Sequence, residues 1–178
     1  AAAALTTGTD NIAIGYAALQ AADGAEDNNI AIGSGAGQNI NNDASDDNVF
    51  IGTYAGRGGT GNLNRCVAIG YQAMDGTGTL NGQQNIFIGD NAGGGSWTTA
   101  ASNSNVAIGA TAMSDALNGA LGNTALGHDT LKALTEGDYN VAIGHTTGDA
   151  LTTGGYNTLL GQAAGGGLVG GGTNIAIG

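Results

Sequence analysis

Proline is absent from this chain, and cysteine, aromatics and positive charge are all scarce: its 178 residues include one cysteine, 4% aromatics and three cations, Arg57, Arg65 and Lys132. Each shortage excludes something. A single cysteine cannot form an intrachain disulfide, so no covalent framework holds the fold, and the redox compartment is left open. With so few aromatics, and much of the apolar content supplied by Ala, the core volume per residue is small for a compact enzyme. Fourteen carboxylates against three cations give a formal charge of −11, which argues against nucleic acid or an anionic membrane as partner and favours solubility. No stretch approaches the ~20 apolar residues of a membrane span. The opening Ala1 to Leu5 has neither the basic n-region nor the long apolar core of a signal peptide. No membrane insertion is expected.

What the chain has in abundance is glycine, 36 residues, much of it inside one five-residue unit. Ten copies run along it: Asn11 to Gly15, Asn29 to Gly33, Asn48 to Gly52, Cys66 to Gly70, Asn85 to Gly89, Asn105 to Gly109, Asn123 to Gly127, Asn140 to Gly144, Asn157 to Gly161 and Asn174 to Gly178. A fixed repeat of this kind describes an array in which each unit buries its apolar face only against its neighbours. Residues 1–178 therefore read as a single repeat array.

The columns of the unit define its conformation. The fourth position is Ile in eight copies (Ile14, Ile32, Ile51 and Ile143 among them) and Leu at 126 and 160; the second is Ile, Val or Thr throughout. Residues two apart share one face of a strand, and these bulky types suit a pleated buried surface. The middle position is Ala in seven copies, Phe50 and Phe87 in two and Leu159 in one, so neither face of the strand is built for water. Gly ends every copy (Gly15, Gly33, Gly52 and Gly144 among them), which implies positive φ or an approach too close for a Cβ. Asn opens nine copies, as at Asn11, Asn29, Asn48 and Asn140; such side chains stack along an array or cap the turn backbone. Cys66 takes that place once and reads as a neutral substitution rather than a reactive thiol.

Successive fourth-position residues are spaced 17 to 20 apart. The expected fold is all-β: a parallel β-solenoid or β-roll of about ten coils, forming a rod about 45 to 50 Å long at ~4.8 Å per rung. Variation in spacing assigns the polar stretches Asn39 to Asp47, Gly56 to Asn64 and Gly93 to Ser104 to surface loops. Leu5, Leu134, Leu151 and Leu168, nine residues before a fourth-position Ile or Leu, mark the start of a second strand in their coils. A helical turn is the alternative around Asp129 to Leu134, where Leu131 and Leu134 are three apart. The chain begins inside a coil and ends on a unit glycine without polar caps, so it is expected to be a window of a longer fibre protein.

If the second and fourth positions fill the coil, the middle one faces outward, and a ten-rung stripe from Ala13 to Ala176 then requires a partner. On that reading Phe50, Phe87 and Leu159 are the oligomer contacts, and the partner is the chain itself.

The ten units, and above all Asn123-Thr124-Ala125-Leu126-Gly127 and Ile69-Gly70-Tyr71-Gln72-Ala73-Met74, resemble the Asn-Thr-Ala-Ile-Gly repeats of bacteriophage tail-fibre and other virion-associated proteins. More distantly the array is similar to the Ser-Val-Ala-Ile-Gly repeats in the heads of trimeric autotransporter adhesins. The resemblance implies a left-handed roll, a homotrimer and an extracellular, virion-borne role in host attachment. A host-surface glycan or protein would be met through the loops.

Little catalytic chemistry is visible. Gly56-Arg57-Gly58-Gly59-Thr60-Gly61 matches G-x-G-x-x-G but precedes no helix, and such strings arise by chance in a glycine-rich chain. His128 and His145 each follow a unit glycine one coil apart, so they stack about 5 Å from each other. They are able to share a metal, but the position is variable and two exposed polar residues is the reading preferred. Asp43, Asp46 and Asp47 in one loop, with Glu26 and Asp27 in the preceding one, lack the regular spacing of a calcium loop and read as a solvated acidic edge. No cofactor, metal or enzymatic activity is expected. An ice-binding solenoid and a polysaccharide-depolymerising tailspike are the rivals, although no Thr column persists through the middle coils and no acid pair is identifiable.

Overall fold

Each of the ten units becomes a three-residue strand, and the ten strands form one parallel sheet. The computed structural model describes residues 6–178, so Leu5, expected to open the first coil, lies outside the described residues. In chain order the strands are β1 (Ile12–Ile14), β2 (Ile30–Ile32), β3 (Val49–Ile51), β4 (Leu63–Asn64), β5 (Val67–Ile69), β6 (Gly82–Gln83), β7 (Ile86–Ile88), β8 (Val106–Ile108), β9 (Thr124–Leu126), β10 (Val141–Ile143), β11 (Thr158–Leu160) and β12 (Ile175–Ile177). The main sheet runs β1-β2-β3-β5-β7-β8-β9-β10-β11-β12, and β4 pairs with β6 in a separate two-stranded sheet. Register is kept throughout: Ile14 lies opposite Ile32, Ile32 opposite Ile51, and Leu160 opposite Ile177. The chain is a parallel β-solenoid of about nine turns, with no helix among the described residues.

The face that points inward is the reverse of the expected one. Ala31, Phe50, Ala68, Phe87, Ala107, Ala125, Ala142 and Leu159, all middle-position residues, are completely buried within the single chain. The second and fourth positions point outward. Phe50, Phe87 and Leu159 therefore cannot be oligomer contacts; they fill the coil interior. The physical reason is space. A coil this narrow brings its opposite wall close to the strand, so the inward column must be Ala unless the wall opposite is Gly.

That compensation is visible along the chain. Six residues after each middle position comes an inward residue on the facing wall: Leu19, Met74, Met113 and Leu131 face Ala13, Ala68, Ala107 and Ala125. Where the middle position is large, the facing residue is Gly: a Cβ at Gly56 would overlap the Phe50 ring, one at Gly93 the Phe87 ring, and one at Gly165 would meet Leu159. In the two coils that have Ala31 with Gly37 and Ala142 with Gly148, neighbours fill the gap. Leu19 and Phe50 lie against Gly37, and Leu131 and Leu159 against Gly148. Close packing is thus held constant while its donors alternate.

The unit glycine is required by close approach. At Gly15, φ is +131°, and a Cβ there would sit 2.5 Å from the Gly33 carbonyl oxygen; Gly33 stands in the same relation to Gly52. The segment that follows is turn rather than the alternative helical turn: Asp129 and Leu131 take φ of 54° and 49°, and the chain is turn to Ala133. A left-handed residue at every second place prevents the i to i+4 bonding of a helix.

Two further expectations need correction. Leu134, Leu151 and Leu168 begin no strand; Leu134 and Leu151 are fully buried, and their neighbours bond to the next coil, as Thr135 N–H does to Thr152 O at 2.9 Å. The strand-like second wall appears instead at β4 and β6, where Leu63 lies opposite Gly82 and Asn64 opposite Gln83. The polar stretches are not wholly surface loops either. Ile40, Ser45, Leu63 and Ser102 are fully buried and Trp97 nearly so, because each stretch contributes inward side chains that close its coil.

Candidate interaction surface

The Asn column forms the spine behind this surface. Asn123 Nδ2 donates to Asn105 Oδ1 at 3.0 Å and to Gly137 O at 2.7 Å, while Asn123 Oδ1 accepts from Asn140 N–H at 2.9 Å and Asn140 Nδ2 at 3.0 Å. Both expected roles, side-chain ladder and turn cap, are filled by the same group. The pattern also holds at Asn11, Asn29 and Asn48, where Asn29 and Cys66 N–H groups bond to Asn11 and Asn48 Oδ1, both at 2.9 Å. Cys66 interrupts it. Its Sγ donates to Gly82 O at 2.9 Å, and the Asn85 amide finds only sulfur where an amide oxygen would stand. Burial pushes this thiol up to about 11, so it is an inert, protonated group.

Held by this spine, the second and fourth positions make two parallel apolar columns on the outer face of the sheet. Ile14, Ile108, Leu126, Val141, Ile143 and Leu160 are exposed, and Ile32, Ile51, Ile69 and Ile88 are half-buried. Nine steps of ~4.8 Å give a stripe roughly 43 Å long with columns about 7 Å apart. A contiguous apolar stripe of this length is a candidate interaction surface.

Polar residues edge the stripe. Beyond the unit glycine stand Tyr16, Tyr71, His128 and His145, all exposed. On the other edge the Tyr139 and Tyr156 rings lie 5.2 Å apart. His128 and His145 do stack, with ring centroids 5.2 Å apart and planes 13° from parallel. His128 Nδ1 lies 2.9 Å from Asp129 Oδ2. The bond from Thr111 Oγ1, 2.6 Å from Asp129 Oδ1, and the neighbouring Lys132 and His128 hold the Asp129 carboxyl below its ordinary range.

The acidic residues act as caps between coils. Asp27 Oδ1 accepts from Thr9 N–H at 2.6 Å, Asp46 Oδ1 from Asp27 N–H at 2.8 Å, and Asp43 Oδ1 from Ala25 N–H at 3.3 Å. Glu26 is buried, with Oε2 accepting from Gly24 N–H at 3.0 Å. Asp47 lies 3.8 Å from Arg65. In the glycine-rich string, Gly56 packs on Phe50, and Arg57 meets Asp75 at 2.7 Å, so that segment is coil wall. Burial raises the Asp75 carboxyl against the pull of Arg57. No family model, curated protein or solved structure matches the chain.

Proposed function

We propose that the chain is a structural and adhesive segment of an extracellular fibre, a phage tail fibre, in which three copies of a left-handed solenoid associate through the Ile, Val and Leu stripe. The observation that carries this reading is the stripe itself. A monomer would leave two ten-rung columns, apolar but for Thr124 and Thr158, in water, whereas copies of the chain bring an identical, periodic surface that matches rung for rung. The threefold arrangement and the handedness rest on the resemblance of the repeats to tail-fibre and adhesin-head sequences. The polar loops on the remaining walls would meet a host-surface glycan or protein, and the inward columns are committed to packing.

Light scattering of the native protein at micromolar concentration tests the assembly: a mass of three chains supports it, and a stable folded monomer overturns it. A glycan array then separates attachment from a purely mechanical role. Thermal hysteresis would point to an ice-binding solenoid, and release of reducing sugar to a depolymerase.

A further inference from the structure

We propose that His128 and His145 form a two-imidazole site for a first-row transition-metal dication, of which Zn2+ is the simplest probe. The pair occupies the position after the unit glycine in two successive coils, with rings 5.2 Å apart and nearly parallel. Adjacent rungs are ~4.8 Å apart, which is no wider than the 5–6 Å between Cβ atoms of residues one helical turn apart; two His at that helical spacing chelate a single zinc. Both side chains are exposed, and a tilt of the His145 ring would bring its Nε2 onto the ion that His128 Nε2 faces.

The observation that distinguishes this pair from two incidental surface histidines is the carboxylate behind it. Asp129 Oδ2 lies 2.9 Å from His128 Nδ1. An ionised Asp129 makes Nδ1 the protonated nitrogen and leaves the Nε2 lone pair facing solvent, which is the carboxylate–histidine arrangement that orients a metal ligand. Asp129 is itself fixed, by Thr111 Oγ1 at 2.6 Å and Lys132 Nζ at 3.2 Å on its other oxygen. The next residue of the same column is the exposed Gln162, whose amide oxygen is the nearest candidate for a further ligand. Among the described residues no group of three His, Cys, Asp or Glu converges, so the remaining coordination positions fall to Gln162 and water. Imidazole donors select Zn2+, Ni2+ or Cu2+ over Ca2+ and Mg2+.

Isothermal titration of the native protein with Zn2+ at neutral pH should show one saturable ion per chain. His128→Gln and His145→Gln should each weaken it by more than about tenfold, and Asp129→Asn by roughly tenfold, as loss of an outer-shell partner does. Circular dichroism should show all three variants folded. Nitrogen-15 spectra of the metal-free protein should show His128 protonated at Nδ1. Native affinity in both His variants, displacement of Zn2+ by equimolar Ca2+, or no saturable heat at millimolar Zn2+ would each overturn the site.

Discussion

One position in the Asn column shows what a single side chain contributes. The Asn123 side chain makes or accepts five hydrogen bonds in a buried setting, so Asn123→Ala should cost about 3 kcal/mol or more, since at least one backbone amide is left unpaired. Cys66 is the inverse experiment. Cys66→Asn should raise stability by about 1 kcal/mol, because the new amide can take the Gly82 carbonyl and offer the Asn85 amide an oxygen. Urea unfolding of both variants checks the pair; a destabilised Cys66→Asn would show that the site has repacked around sulfur. The sequence made the column obvious, but not that one Asn serves as both ladder and cap. Asp129 supplies the pH test. Its carboxyl is held below the ordinary range, chiefly by Thr111, so its folded pKa lies under its unfolded one. That stabilising contribution is present above the ordinary carboxylate pKa and is lost as pH falls through the depressed value. The stability gap between the native protein and Thr111→Val should therefore be open at neutral pH and narrow on acidification; a gap that is constant with pH would refute the linkage.

Among the elements, the strands were legible and their orientation was not. Alternation in a three-residue strand separates two faces but does not say which is inside, and here both faces are apolar. The bulkier β-branched columns suggested the interior. The deciding signal was nonetheless in the chain: the residue six beyond the middle position is Gly wherever the middle position is Phe or Leu, and is Leu or Met only where it is Ala. Covarying volumes of that kind belong to a shared enclosed space, whereas a column that stays Ile from coil to coil faces something equally regular. Phe50 and Gly56 give the test. Phe50→Ala alone should cost about 3–5 kcal/mol through the cavity it leaves, and Gly56→Met alone should be destabilising because its side chain enters the Phe50 ring. Together they recreate the Ala68 and Met74 pairing, in which Met74 has a φ of 54°. The double variant should therefore recover most of the loss, short of about 1 kcal/mol for left-handed backbone at a non-glycine residue. Additive losses would show that the two positions do not share one volume. The loops illustrate a different blind spot. Ile40 and Trp97 sit singly in polar surroundings, and one apolar residue without a periodic partner carries no orientation in a sequence reading.

At the scale of the whole molecule, turning the strand over strengthens the case for self-association and changes which residues test it. The outward columns are Ile, Val and Leu at most rungs, a larger apolar area than the Ala-rich column first expected to face out. Removing a side chain from the outer face leaves the coil interior untouched, so assembly and folding become separable. Ile51 and Ile69 are opposite each other on β3 and β5, the third and fourth of the ten rungs, and both are half-buried. In Ile51→Asp/Ile69→Asp, two charges would be held inside the apolar stripe of any interface formed through it, at several kcal/mol if they stay unpaired. In the free chain the same carboxylates reach water. The double variant should therefore sediment as a monomer while keeping the circular dichroism of the native protein. Phe50→Asp should instead lose the fold, since that side chain is completely enclosed within its own chain. An Ile51→Asp/Ile69→Asp protein that keeps the native mass would remove the stripe as the interface and leave the apolar columns without a partner.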